Sequence, residues 1–275
     1  MPPLPARPRL TSPRVASSPG CAPLKAAYTQ AVAIGPKSWG QVEQLFLRGM
    51  EEFDQNLVAG VADMGDLQNG KGDFFNDLLA LLLENSADIR LYSRGQVPGL
   101  IIPRHNLDVT FPARGNIEFV LEAKAVGTPR HPGSPKAKPA GRPGSADLDK
   151  RVKEIGFKTI DLKAEFGRLM SSEGAAPTSI TGDLTGWLRT VKPRSYLFIA
   201  ARVTSDGDLR NVIRHAQQAG LVSDGVGLFA FRPTNDDSPT TYVKAEVPSG
   251  LELARVLYRA SQDLAAIKTA RPQDV

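Results

Sequence analysis

Two acids and a lysine fall where a pair of short strands would aim them at one point. Residues 106 to 124, NLDVTFPARGNIEFVLEAK, read as two strands joined by a turn at Gly115 and Asn116. In the second strand Ile117, Phe119, Leu121 and Ala123 share one face, and Glu118, Val120, Glu122 and Lys124 share the other. In the first, Leu107, Val109 and Phe111 form one face, with Asp108 and Thr110 opposite. If the strands pair, Asp108, Glu122 and Lys124 converge at one edge. That set suits metal-assisted phosphodiester hydrolysis. Two carboxylates hold a hard Mg²⁺ ion. The metal stabilises phosphate charge and lowers the pKa of a bound water, and the ammonium orients or activates that water. A second D-x-K triplet, Asp161-Leu162-Lys163, falls on a predicted helix. There its first and third residues point about 200° apart and cannot converge. The bland alternative for 106–124 is an exposed strand pair with ordinary surface charges.

The elements that must position these residues can be read outward from them. Residues 38–63 predict a helix, with Val42, Leu45, Phe46, Met50, Phe53, Leu57 and Val61 spaced by three and four. QNGKGD, 68–73, breaks the pattern, and a second helix follows over 73–85 with Asp73 as its N-cap. Short strands are expected at 89–92 and 100–102, ahead of the two that carry the acids. A long helix spans 146–170, its apolar stripe formed by Leu148, Val152, Ile155, Leu162, Phe166 and Leu169. Its mixed charges predict a solvated opposite face. SYLFIAARV, 195–203, is a buried strand; a helix follows to Ala219, then a strand over 225–233. A capping box, Ser249 to Glu252, opens a last helix to about residue 270. Strands alternating with helices predict an α/β fold with at least one parallel strand pair.

Composition bounds the rest. The 275 residues are 41% hydrophobic, enough for a sizeable core, and carry a net charge of +5. A basic balance favours a polyanionic partner. No apolar run approaches the length of a membrane span. The single cysteine, Cys21, excludes an internal disulfide and a cysteine zinc site, and fits a cytoplasmic location. There is no Walker motif, and the three histidines suggest no Ser-His-Asp triad. Residues 1–30 predict a disordered, basic, proline-rich tail, and 31–270 a single domain. Residues 127–145, with five prolines, four glycines, four basic residues and no acid, predict a mobile loop. It leaves directly from the Glu122–Lys124 strand, so Arg130, Lys136, Lys138 and Arg142 are candidates for gripping DNA phosphates. Arg189, Lys192 and Arg194, in the loop 181–194 with Trp187, are candidates for a DNA groove, and Lys71 for a phosphate contact.

The order helix 73–85, strands to 124, helix 146–170, strand 195–203, helix, strand 225–231 resembles the αβββαβ core of the PD-(D/E)XK nuclease superfamily, best known from type II restriction endonucleases. The resemblance covers residues 70–232, and its motif matches Asp108 and Glu122-Ala-Lys124, with 13 residues between the acids. Leu107 stands where members often have proline. The resemblance implies a mixed central sheet flanked by helices, with extra N- and C-terminal helices. It implies that Asp108 and Glu122 bind Mg²⁺ and that Lys124 sits near the attacking water. Members frequently add an acid from the first core helix, here Asp77 or Glu84, with Asp77 preferred. The implied activity is a Mg²⁺-dependent DNA endonuclease of type II restriction type, a homodimer on double-stranded DNA, with a cognate DNA methyltransferase acting on the same site. Alternatives are a DNA-binding module that does not cleave and a structure-specific repair or recombination nuclease. The helices at 38–63 and 249–270 lie outside the core, and one of them is expected at the dimer surface.

Overall fold

The two most apolar segments of the second half become the middle of the sheet. β4 (Arg194–Arg202) and β5 (Gly225–Pro233) run parallel, with Tyr196 opposite Gly225 and Arg202 opposite Phe231. Each is covered on both faces, which is why it reads as a continuous apolar run. In a computed structural model, six strands form one mixed sheet in sequence order: β1 (Tyr92–Val97), β2 (His105–Phe111), β3 (Phe119–Val126), β4, β5 and β6 (Tyr242–Lys244). β1, β2 and β3 are antiparallel, β3 runs parallel to β4, and β6 is antiparallel to β5. The structure describes residues 39–60, 64–112, 116–131, 140–170, 184–235 and 239–271. The expected tail, residues 1–30, lies outside them.

Among those residues there are six helices: α1 (Trp39–Val58), α2 (Met64–Ala87), α3 (Leu148–Met170), α4 (Leu184–Thr190), α5 (Asp206–Ala219) and α6 (Leu253–Ala270). Strand alternation divides the core into two layers. Phe119, Leu121 and Ala123 of β3, Tyr196 and Phe198 of β4, and Phe229 and Phe231 of β5 pack against α1, α2 and α6. Leu197, Ile199 and Ala201 of β4, with Val226, Leu228 and Ala230 of β5, pack against α3 and α5. No helix among the described residues is long and apolar enough to cross a membrane.

Four expectations need correction. The break at 68–73 does not exist: α2 runs unbroken from Met64 through both glycines, so Asp73 lies inside a helix and not at its start. Glycine serves helix packing instead. A Cβ on Gly70 would sit 2.7 Å from the Phe53 ring, and one on Gly49 would strike the ring of Phe74. Residues 100–102 are not a strand but the tip of the β1–β2 connection, closed by the Gly99 N–H on the Ile102 carbonyl at 2.8 Å. The capping box at 249–252 does not form. Ser249–Leu251 make a 3₁₀ turn, and Glu252 is extended and bridged to Leu228, so α6 starts at Leu253 without a side-chain cap. Finally, both terminal helices bury their stripes in their own core: Val42, Phe46 and Met50 of α1, and Leu253, Leu257 and Leu264 of α6.

Candidate active site

The ladder between β2 and β3 is short, and the acids sit where it ends. Val109, Thr110 and Phe111 pair with Leu121, Val120 and Phe119. At the next position the Asp108 side chain takes over from the backbone: its Oδ2 accepts from the Ala123 N–H at 2.9 Å. The same oxygen accepts from Lys124 Nζ at 2.9 Å, and Lys124 Nζ also donates to Glu122 Oε2 at 2.8 Å. The three sequence-predicted residues therefore meet at one nitrogen. Asp108 is a third exposed, whereas Glu122 is only 5% exposed. Burial disfavours the Lys124 ammonium, but Glu122 and Asp108 outweigh it and hold its pKa above the ordinary lysine value. Lys124 is thus charged at neutral pH.

The alternation that predicted this set holds in its middle and fails at its ends. Ile117 precedes β3 and packs with Leu107, Val97, Val120 and Leu162, not with Phe119. Leu107 joins that cluster while Val109 faces α2. With pairing to β3 ended at Val109, β2 continues on β1 alone and is no longer held in one pleat with β3.

One residue of the site was not foreseen. Lys158, on α3, donates from Nζ to Glu122 Oε1 and to the Asn106 carbonyl, both at 2.7 Å. Glu122 is therefore gripped by an ammonium on each oxygen. Nothing in the local sequence marks Lys158 among the basic residues of α3; only the packing of α3 beside β2 and β3 brings it in.

The helix predicted to present a solvated charged face instead buries Asp161, Lys163 and Glu165. Asp161 accepts from the N–H groups of Ile101 and Ile102 at 2.7 and 3.0 Å and pairs with His105 Nε2 at 2.7 Å. Lys163 reaches Asp224 at 2.9 Å, together with the carbonyls of Leu188 and Val191. As the helical geometry required, Asp161 and Lys163 point to different partners and do not converge.

The remaining candidates scatter. Asp77 is buried on α2. Glu84 Oε1 accepts from the Leu91 N–H at 2.7 Å, a structural role. Lys71 cannot meet a phosphate. It is buried between helices against Asp54 at 2.6 Å, and burial holds its pKa below the ordinary value. Lys192 pairs with Glu118, and Arg194 with Asp224 at 2.9 Å, beside the start of β4. Arg189 is exposed on α4, so residues 184–190 of the expected loop are helical. Arg130 is exposed, Arg142 pairs with Asp147 at 2.6 Å, and Lys136 and Lys138 lie outside the described residues. The ends of the loop 127–145 are built, not mobile. Thr128 and Arg142 form a β-bridge, Arg202 donates to the Ala140 carbonyl at 2.8 Å, and Asp208 accepts from Gly144 and Ser145.

Among the described residues, no group of three or more His, Cys, Asp or Glu side chains comes together to hold a metal. Mg²⁺ does not require one: it is commonly bound by one or two carboxylates, with waters and substrate phosphate completing the shell. Asp108 and Glu122, whose oxygens already share one cation, fit that donor set. Comparison with protein-family models, with curated proteins and with solved structures found no match.

Proposed function

We propose that the chain is a Mg²⁺-dependent DNA endonuclease with a restriction-endonuclease-like core, working at Asp108, Glu122 and Lys124. The observation that carries the reading is the meeting of both acids at Lys124 Nζ, at the point where β2 and β3 cease to pair. The element order α2-β1-β2-β3-α3-β4, with β4 parallel to β3, supports it. The net charge of +5 suits a polyanionic substrate.

In this reading Asp108 and Glu122 hold the metal, which when bound supplies Lewis-acid stabilisation of the phosphate and a water of lowered pKa. The chain's own residues do the rest. The Ala123 N–H fixes the Asp108 carboxylate, so its direction is set before any ligand arrives. Lys124, which bridges the two carboxylates, orients the attacking water and offsets charge on the phosphate. Incubation with plasmid and phage DNA, with and without Mg²⁺, tests the proposal. Discrete Mg²⁺-dependent fragments support a sequence-specific enzyme, and cleavage confined to branched or flapped DNA a structure-specific one. Binding without cleavage under all metal conditions rejects the endonuclease.

A further inference from the structure

We propose that Lys158 makes metal binding at the Asp108–Glu122 pair conditional on nucleic acid: its ammonium holds Glu122 Oε1 until a phosphodiester draws it away. The inference rests on the metal-site reading above and adds a coupling between the two ligands.

Both oxygens of Glu122 are occupied, Oε2 by Lys124 at 2.8 Å and Oε1 by Lys158 at 2.7 Å. The carboxylate is almost wholly buried, so a cation that binds it must displace an ammonium. The two lysines are not equally easy to displace. Lys124 is held by two carboxylates, Glu122 and Asp108. The second partner of Lys158 is a neutral carbonyl, that of Asn106 at 2.7 Å, and Asn106 is exposed. A second carboxylate attracts an ammonium with a full charge, a carbonyl only with its dipole. Lys158 therefore yields first. It also reaches the site from α3 on a flexible four-carbon stem, which lets the ammonium swing while the helix stays in place.

A DNA phosphate offers a full negative charge and strong acceptor oxygens outside the protein, and it competes with Glu122 for this ammonium. When Lys158 moves to the phosphate, Oε1 is released. Cation and Lys158 exclude each other at Oε1, and DNA removes Lys158, so DNA and metal favour each other's binding. Linkage requires the effect to be reciprocal, and couplings of this kind run from about fivefold upward.

The test is Mn²⁺ binding by electron paramagnetic resonance, which does not depend on turnover. The full chain is titrated with and without a saturating short mixed-sequence duplex, with Asp108→Ala as the blank for ions held by the duplex or elsewhere on the protein. In the wild type, the duplex should raise site affinity for Mn²⁺ about fivefold or more. Lys158→Met should bind Mn²⁺ more tightly than wild type in the absence of DNA and respond little to the duplex. Lys158→Arg, which keeps the cation, should restore the wild-type pattern. Lys158→Gln provides a second neutral variant if the methionine does not fold. Neutral variants that bind Mn²⁺ no more tightly than wild type, or that keep the full DNA effect, overturn the inference and leave the metal site standing. A wild type indistinguishable from the Asp108→Ala blank with the duplex present overturns the metal site itself, and the inference with it.

Discussion

Lys163 and Lys124 have the same side chain and lie 39 residues apart in sequence, yet substituting them should have opposite consequences. Lys163 is fully buried on Asp224, and burial holds its pKa below the ordinary value despite the carboxylate. Removing one member of a buried pair typically costs about 3–5 kcal/mol. Asp224 keeps Arg194 and the Ser195 N–H, so Lys163→Met should fall at the low end, about 3 kcal/mol by urea unfolding. Cleavage per folded molecule should not change. A stability equal to wild type would mean that the pair contributes nothing. At this scale the Asp108, Glu122 and Lys124 set was legible because strand alternation is local: two residues apart on β3 means the same side. Lys158 was illegible because its membership depends on an ion pair formed 36 residues away, between α3 and Glu122. Lys71, between two glycines, mimicked a turn lysine, because close helix packing and turns use the same residue.

At the scale of elements, Asp161 joins the β1–β2 connection to α3. Burial raises its pKa, but His105 and the N–H groups of Ile102 and Ile101 outweigh that and hold it below the ordinary aspartate value. A depressed folded pKa adds stability above the unfolded value, about 4, which is lost as pH falls through the folded one. Wild type should therefore lose stability below about pH 4 more steeply than Asp161→Asn, which starts lower and stays flatter. Parallel acid limbs in urea melts would remove Asp161 as the cause. The basic loop makes a second test. Its ends are pinned by Arg202 and Asp208, so truncating the whole of 128–144 would damage the fold. Replacing Arg130, Lys136 and Lys138 with Gln should weaken DNA binding. The slope of log affinity against log salt should fall by about 0.9 for each phosphate that these residues neutralise. An unchanged slope would exclude them from the interface. The long apolar runs of β4 and β5 and the stripes of α1, α3 and α6 were readable from periodicity. The continuity of α2 through Gly70 and Gly72 was not, because a propensity signal cannot show that the Phe53 ring fills the space left beside Gly70.

At the scale of the whole molecule, if one Asp108–Glu122–Lys124 set per chain cuts one strand, as proposed, a double-strand cut at a palindrome calls for two chains related by the DNA's own symmetry. Light scattering should find two chains per duplex; one chain making double-strand breaks in a single binding event would contradict this. The terminal helices bury their apolar stripes in their own core, and Leu100, Ile101, Ile102 and Phe157 are exposed. In the proposed reading Asp108 and Glu122 bind the metal that cleaves. Loss of either ligand removes transition-state stabilisation of several kcal/mol, about a thousandfold in rate. The direct measurement compares plasmid cleavage and DNA binding side by side for wild type, Asp108→Ala and Glu122→Ala at fixed Mg²⁺. The expected result is cleavage reduced about a thousandfold in both variants with DNA binding retained. Cleavage at the wild-type rate by either variant would contradict the site.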